Sequence, residues 1–194
     1  MVERVLHYPL AEEVEQEQGA GRRGVAVSAA SIQRHYHQPV MVRQALEALA
    51  VHPGGWYIDA TLGEGGHASL ILDASAPNGR LLGIDADPEA LEVAGTHLEA
   101  ARPGVALLVH GSFAHIADIA RAHGFSPVDG VLLDLGLSSR QLEGEERGFS
   151  FQRDQPLDMR YDPTQGVTAA ELVNTLSEEA LANLIWRYGE ERRS

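Results

Sequence analysis

Residues 56–67 read WYIDATLGEGGH, an apolar run that ends in an acid and passes directly into a glycine-rich turn. We expect a short buried strand over residues 56–60, then the turn, then a helix through Ala68, Leu70, Ile71 and Leu72. Ligands of open parallel sheets lie beyond the carboxyl ends of the strands, and glycine lets the backbone approach them closely. The spacing is Gly-x-Gly-Gly rather than Gly-x-Gly-x-x-Gly, so the dinucleotide fingerprint is incomplete and a plain tight turn remains an alternative.

The same alternation of helix and strand continues along the chain on both sides of this turn. Apolar residues at three- and four-residue spacing predict a preceding helix that begins at Pro39. Three further strands are predicted over residues 80–85, 105–109 and 128–133, with helices over residues 90–100 and 114–122 between them. This alternation is typical of a parallel sheet with helices on both faces, so the predicted fold class is α/β, a doubly wound parallel sheet.

The composition fits one globular domain and excludes several kinds of site. The chain has 194 residues, a formal net charge of −13 and no cysteine, which rules out disulfides, thiolate nucleophiles and cysteine-ligated zinc. The histidines, His35 and His37 included, show no ligand spacing, so no metal site is predicted. No apolar run is long enough to span a membrane and no signal peptide is recognisable, so we expect a cytoplasmic protein. Acidity alone argues against a nucleic-acid partner, because it repels phosphate.

Two aspartates and one phenylalanine follow the second and third predicted strands. Asp85 lies about 20 residues beyond the glycine turn, where a carboxylate can accept both hydroxyls of a ribose in NAD or in S-adenosylmethionine. For Asp87 we prefer the role of helix N-cap ahead of Pro88. Phe113 is a candidate to pack against an adenine face, although a place in the core is the commoner fate of phenylalanine.

Asp134 closes the last and most apolar of the predicted strands. A carboxylate at the end of a buried strand, beside the topological switch of the sheet, is costly unless it is paired, hydrated or used in chemistry. Methyl transfer to an exocyclic amine needs the nitrogen lone pair aimed at the methyl group, and acceptors for the amine hydrogens enforce that geometry. Asp134 is therefore the candidate catalytic residue.

The pattern changes on either side of this α/β region. Residues 1–34 are acidic, with no sustained period, and are expected to form a mobile extension. Residues 135–162 are rich in Gly, Ser, Arg, Asp and Pro, and helical signals return with a capping box of Thr168 and Glu171 and an N-cap at Ser177. Four strands are fewer than such sheets usually carry, so we expect the chain to be a fragment.

Several unusual strings occur in a fixed order: residues 59–67, 83–88, 111–113, 129–142, 147–151 and 156–162. Together they resemble the RsmH family, also called MraW, the S-adenosylmethionine-dependent cytosine-N4 methyltransferases of small-subunit ribosomal RNA. The resemblance runs from His37 to about Arg192. It implies direct methyl transfer from S-adenosylmethionine to the N4 amine of a cytidine in 16S ribosomal RNA, within an assembled ribosomal particle.

The resemblance also implies which residues contact S-adenosylmethionine. They are Gly65, Gly66 and His67 at the methionine part, Asp85 at the ribose, Phe113 at the adenine, and Asp134 and Gln141 near the reactive end. Of these, His67 and Gln141 rest on the resemblance alone. Residues 147–162 would lie beside the site and help to receive the RNA. Arginines remain nearby for that purpose, offset by neighbouring acids: Arg140, Arg147, Arg153 and Arg160.

The expected domains are residues 1–34 as an extension, 35–142 as the first part of the methyltransferase core, and 143–194 as a loop and the start of a helical inserted domain. Two other functions remain open. An NAD-dependent oxidoreductase would share the glycine turn and Asp85. A degenerate module would bind cofactor or RNA without turnover.

Overall fold

The computed structural model describes residues 5–6, 39–143, 147–152 and 154–193, and the chain divides into two compact units, residues 1–135 and 136–194. The extension predicted over residues 1–34 lies outside the described residues apart from Val5–Leu6. Among the described residues, no helix is both long and apolar enough to cross a membrane.

The first unit is built on a five-stranded sheet. Its strands are β1 (Val5–Leu6), β2 (Trp56–Asp59), β3 (Arg80–Asp85), β4 (Ala106–His110) and β5 (Gly130–Leu132). Their order is β1-β4-β3-β2-β5, and β4, β3, β2 and β5 run parallel, which confirms the predicted parallel sheet. The short β1 adds an antiparallel edge to β4, with Val5 opposite Val109; a strand of two residues is too short for its sequence to show an alternating pattern.

Helices of the first unit lie close to their predicted positions, but the first of them begins at Val42 and not at Pro39. They are α1 (Val42–Ala48), α2 (Gly66–Ala74), α3 (Pro88–Ala101) and α4 (Ile116–Ala122), with a 3₁₀ turn over Phe113–His115. The predicted N-cap at Asp87 is confirmed, because its carboxylate accepts a hydrogen bond of 3.1 Å from the N–H of Glu89 and Pro88 opens α3.

Both faces of the sheet are buried at β2, β3 and β4, where successive side chains point to opposite faces and enter two different apolar clusters. Tyr57 and Leu81 lie in one apolar cluster, packed with Ile71 of α2 and Leu98 of α3. The neighbouring residues on the strands lie in a second cluster with residues of α4 and the loop after it: Ile58, Leu82, Ile84, Val109, Ile119 and Phe125. Burial on two faces explains why these strands are almost wholly apolar in sequence.

In its described residues, the second unit contains three helices, α5 (Ser139–Glu143), α6 (Ala169–Thr175) and α7 (Glu178–Gly189). The predicted capping box of α6 is confirmed: Thr168 Oγ1 accepts from the N–H of Glu171, whose carboxylate accepts from the N–H of Thr168 at 2.8 Å. The predicted N-cap of α7 is confirmed as well, because Ser177 Oγ accepts from the N–H of Ala180 at 3.2 Å.

Candidate functional site

The candidate site lies where the order of the strands reverses. From β2 the chain adds β3 and then β4 on one side, and it then returns to place β5 on the other side of β2. In open parallel sheets, crevices for ligands form at such a switch, outside the carboxyl ends of the strands. Asp59 ends β2, Asp85 ends β3, and Asp134 follows β5, so three carboxylates lie at this edge of the sheet.

Asp85 is bonded directly to the glycine-rich turn. Its Oδ2 accepts a hydrogen bond of 2.7 Å from the N–H of Gly63, and its Oδ1 accepts one of 2.9 Å from the N–H of Asp87. Burial raises the pKa of Asp85, and these two backbone donors offset part of that rise. Because each carboxylate oxygen can accept more than one hydrogen bond, Asp85 retains acceptor capacity for a vicinal diol such as a ribose.

A glycine on β3, Gly83, makes the hydrogen bond between Gly63 and Asp85 possible. A Cβ on Gly83 would lie 2.8 Å from the methyl groups of Leu62 and 2.8 Å from a methyl group of Leu108. Leu62, only 3% exposed, therefore packs directly over the strand, and its N–H donates to the carbonyl of Ile84 at 3.1 Å. The packing of Leu62 brings the next residue, Gly63, within reach of Asp85.

Gly65, Gly66 and His67 form the start of α2, as the sequence predicts. Gly65 has φ +84°, a left-handed conformation that favours glycine, and its N–H donates to the carbonyl of Leu62 at 2.9 Å. Gly66 is the first residue of the helix. The turn thus presents backbone and no bulky side chain at the carboxyl end of β2, as a closely approaching ligand requires.

His67 and Asp134, both predicted site residues, are brought together. The Nδ1 atom of His67 lies 3.8 Å from Oδ2 of Asp134, and its Nε2 lies 2.9 Å from the carbonyl oxygen of Val40. Because a carbonyl only accepts, Nε2 carries the proton in that hydrogen bond. His67 thereby lies between the segment before α1, to which it is hydrogen-bonded, and the loop that follows β5.

The environment predicted for Asp134 is wrong. The sequence suggests a carboxylate at the end of a buried strand, whereas 51% of this side chain is exposed. The reason is that β5 is an edge strand of the described sheet, and its neighbours Val131 and Leu133 are 42% and 48% exposed. The carboxylate of Asp134 is thus open to solvent, and the backbone N–H of this residue donates to Thr61 Oγ1 at 2.7 Å.

Asp59 is the buried carboxylate of the site, and the sequence argument does not single it out. The residue is 1% exposed, and its Oδ1 accepts a hydrogen bond of 3.3 Å from the N–H of Thr61. Burial raises the pKa of Asp59 to about 7, and the negative charges of Asp85 and Asp134 add to the rise. The available signal was its position directly after an apolar strand, the argument that was applied to Asp134 instead.

Phe113 and Gln141 are placed differently from one another. Phe113 opens the 3₁₀ turn after β4 and is 48% exposed, so it is not the core residue that phenylalanine most often becomes. Gln141 belongs to the second unit and is 6% exposed. Its Oε1 accepts from the N–H of Ser138 at 3.0 Å while its own N–H donates to Ser138 Oγ at 3.1 Å, a reciprocal cap at the start of α5. A cofactor contact by Gln141 stays a prediction.

The loop of the second unit that precedes α6 is closed by two of the arginines predicted to lie near the RNA. Arg147 Nη2 donates to the carbonyls of Arg160 and Tyr161, each at 3.0 Å. Arg160 forms a bidentate pair with Asp158, at 2.8 and 2.7 Å, which lowers the pKa of Asp158 to about 2. Both guanidinium groups therefore hold the loop together, whereas Arg153 lies outside the described residues.

No potential metal centre accompanies these groups in the part of the chain that the structure describes. Within it, no three side chains of His, Asp or Glu are grouped so that they could hold a metal ion.

Comparison with known proteins identifies the family. Residues 34–194 match the MraW methylase family. A curated relative named ribosomal RNA small subunit methyltransferase H, from Thermomicrobium roseum, is 56% identical over 158 residues, covering 81% of this chain and 48% of the relative. A relative of the same name from Dehalococcoides mccartyi is 51% identical over 155 residues, covering 80% of this chain and 44% of the relative.

Among solved structures, fibrillarin from Aeropyrum pernix with bound S-adenosyl-L-methionine is 22% identical, with a TM-score of 0.39 over 47% of this chain and 38% of that chain. This likeness is too low to support a comparison of sites. The chain spans about half the length of the curated relatives it matches. Because the family match covers most of its residues, the chain belongs to the MraW methylase family.

Proposed function

We propose that the chain forms part of a methyltransferase that moves a methyl group from S-adenosylmethionine to the N4 amine of a cytidine in 16S ribosomal RNA. The observation that carries this proposal is the hydrogen bond from the N–H of Gly63, in the glycine-rich turn, to Oδ2 of Asp85, at the carboxyl ends of β2 and β3. Family membership supports it, as does the name ribosomal RNA small subunit methyltransferase H shared by the relatives.

Within this proposal the residues of the turn bind the cofactor. The hydroxyls of the ribose donate to Asp85, the exposed ring of Phe113 packs against the adenine, and the backbone of Gly65 and Gly66 lies along the methionine part. His67, at the start of α2, and Gln141, at the start of α5, complete the proposed contacts. When bound, S-adenosylmethionine supplies an electrophilic methyl group on a positively charged sulfur.

Asp134 is the proposed catalytic residue. Half of its side chain is exposed, so its carboxylate is accessible to a substrate at the edge of the sheet. By accepting a hydrogen of the cytosine amine, the carboxylate would fix the direction of the nitrogen lone pair towards the methyl group. The reaction is then a direct displacement with no covalent enzyme intermediate, and positioning supplies most of its acceleration.

The wider assignments follow from the same proposal. Residues 35–142 form the first part of the cofactor-binding core, and residues 143–194 form a loop and the start of an inserted helical domain. The loop closed by Arg147 and Arg160 helps to receive RNA in an assembled ribosomal particle in the cytoplasm. An NAD-dependent oxidoreductase is not favoured, because the chain belongs to a methylase family.

The first test is calorimetric titration of the chain with S-adenosylmethionine and, in parallel, with NAD. Asp85→Ala should weaken S-adenosylmethionine binding roughly 10- to 100-fold, because it removes charge-assisted hydrogen bonds to the ligand. Asp134→Ala should change binding less, and should lower the rate of methyl transfer to small ribosomal subunits more. Asp118→Ala, an exposed carboxylate of α4, is the matched control. Binding of NAD alone, or of neither compound, would contradict the proposal.

A further inference from the structure

Thr61 connects the ends of two strands and has no role in the function proposed so far. Its backbone N–H donates to Oδ1 of Asp59 at 3.3 Å, and its Oγ1 accepts from the backbone N–H of Asp134 at 2.7 Å. The backbone ladder between β2 and β5 ends just before, where the N–H of Ala60 donates to the carbonyl of Leu132 at 3.0 Å. The hydroxyl of Thr61 thus supplies the next rung in place of a backbone carbonyl.

This rung lies where β5 leaves the sheet. The strand ends at Leu132, and both Val131 within it and Leu133 after it are exposed, at 42% and 48%. The direction of the Asp134 side chain depends on the backbone dihedral angles of that residue, which the bond to Thr61 restrains. The carboxylate consequently lies beside the end of the glycine-rich turn that follows β2, with Oδ2 3.8 Å from Nδ1 of His67.

We propose that Thr61 is a positioning residue, whose hydroxyl holds the backbone of Asp134 so that the Asp134 carboxylate is fixed beside the glycine-rich turn. The structural half of this inference, the bond itself, stands alone. The functional half rests on the function proposed above for Asp134. Valine has nearly the shape of threonine but cannot accept a hydrogen bond, whereas serine retains the hydroxyl, so the two substitutions separate hydrogen bonding from packing.

The first measurement needs no cofactor. In the isotopically labelled chain, Thr61→Val should accelerate hydrogen exchange of the Asp134 amide roughly 5-fold and move its amide proton resonance, because a hydrogen bond of ordinary net strength is lost. Thr61→Ser should restore both. Thr96→Val is the matched control, since that hydroxyl donates within α3, to the carbonyl of Glu92 at 3.1 Å, away from both strand ends.

Circular dichroism is recorded first, and Thr61→Ala replaces the valine variant if the latter does not fold. An unchanged amide at Asp134, in whichever variant lacks the hydroxyl, overturns the inference. The same holds if the serine variant behaves like the variant that lacks the hydroxyl, because the effect would then be one of packing.

The second measurement is a double-mutant cycle on S-adenosylmethionine affinity. Thr61→Val should weaken binding roughly 3-fold in the wild-type background, by no more than Asp134→Ala does, and should have almost no further effect when Asp134→Ala is also present. Equal effects in the two backgrounds would show that Thr61 does not act through Asp134, and would overturn its positioning role. A chain that does not bind S-adenosylmethionine at all contradicts the proposed function, while the exchange of the Asp134 amide still decides whether the bond exists.

Discussion

Replacement of Asp59 by asparagine should stabilise the protein above neutral pH, because the buried carboxylate is costly to ionise. Asp59 is 1% exposed, and its pKa is raised from the usual 3.8 to about 7. Asparagine has the same shape and keeps an oxygen that can accept the N–H of Thr61, but it carries no charge. The substitution therefore isolates the electrostatic contribution of this one group.

The sign of the effect follows from proton binding. Between pH 4 and 7 the folded protein keeps a proton on Asp59 that the unfolded chain has released, so the free energy of unfolding of the wild type falls as pH rises. A pKa difference of this size corresponds to about 4 kcal/mol in total, of which about 2 kcal/mol is lost between pH 5.5 and 8. The asparagine variant lacks this loss, so its advantage should grow across that interval and then level off.

The measurement is urea unfolding at several pH values, with tryptophan fluorescence as the signal for unfolding. The chain has two tryptophans, and Trp186→Phe leaves Trp56, at the start of β2, as the reporter of the first unit. Asp118→Asn, an exposed carboxylate paired with Arg121, is the control and should show a nearly constant difference. A difference between Asp59→Asn and wild type that is flat from pH 5.5 to 8 would refute the reasoning about burial.

Two further substitutions test the loop and the packing of the turn. Asp158→Asn should speed tryptic cleavage after Arg160 at pH 7.5, because it removes the ion pair with Arg160, and Asp154→Asn, at an exposed position, is the control. Since the pKa of Asp158 is lowered to about 2, its contribution to the stability of the loop is present above pH 4 and should vanish as pH falls towards 2. Amide exchange of the loop can follow that loss. Gly83→Ala should reduce the free energy of unfolding by about 1–3 kcal/mol, because the new Cβ meets Leu62 at 2.8 Å. Leu62→Val should then destabilise the Gly83→Ala variant less than it destabilises the wild type, because it removes part of the clash. Equal losses of stability in the two backgrounds would contradict this packing argument.

The fold could be predicted because its signals are local. Strands buried on both faces are continuous apolar runs, and helix starts such as Asp87 and Thr168 carry caps within three residues of sequence. Both kinds of signal are independent of how the sheet is ordered. The two-residue strand Val5–Leu6 carries no such signal, because its pairing with β4 depends on residues more than a hundred positions away.

The site was harder to predict because it depends on the order of the strands. In sequence, Asp59 and Asp134 look alike, each an acid after an apolar run. Their environments differ only because β2 is flanked by β3 and β5, whereas β5 has a described neighbour on one side alone. Thr61 was hidden for the same reason, since its partner Asp134 is 73 positions away in the chain.

The three carboxylates at the strand ends have three different environments, and this difference suits a cationic ligand. Asp85 accepts two backbone N–H groups, the side chain of Asp134 is half exposed, and Asp59 has one long hydrogen bond and almost no exposure. Under the proposed function the ligand carries a positive sulfur and an ammonium group. A cation bound near Asp59 favours its ionised form, so binding should lower the pKa of Asp59 and release a proton when the pH is near or below 7. The electrostatic cost of ionising Asp59 thereby becomes a source of affinity for a cationic ligand, and that affinity falls once methyl transfer removes the positive charge from sulfur.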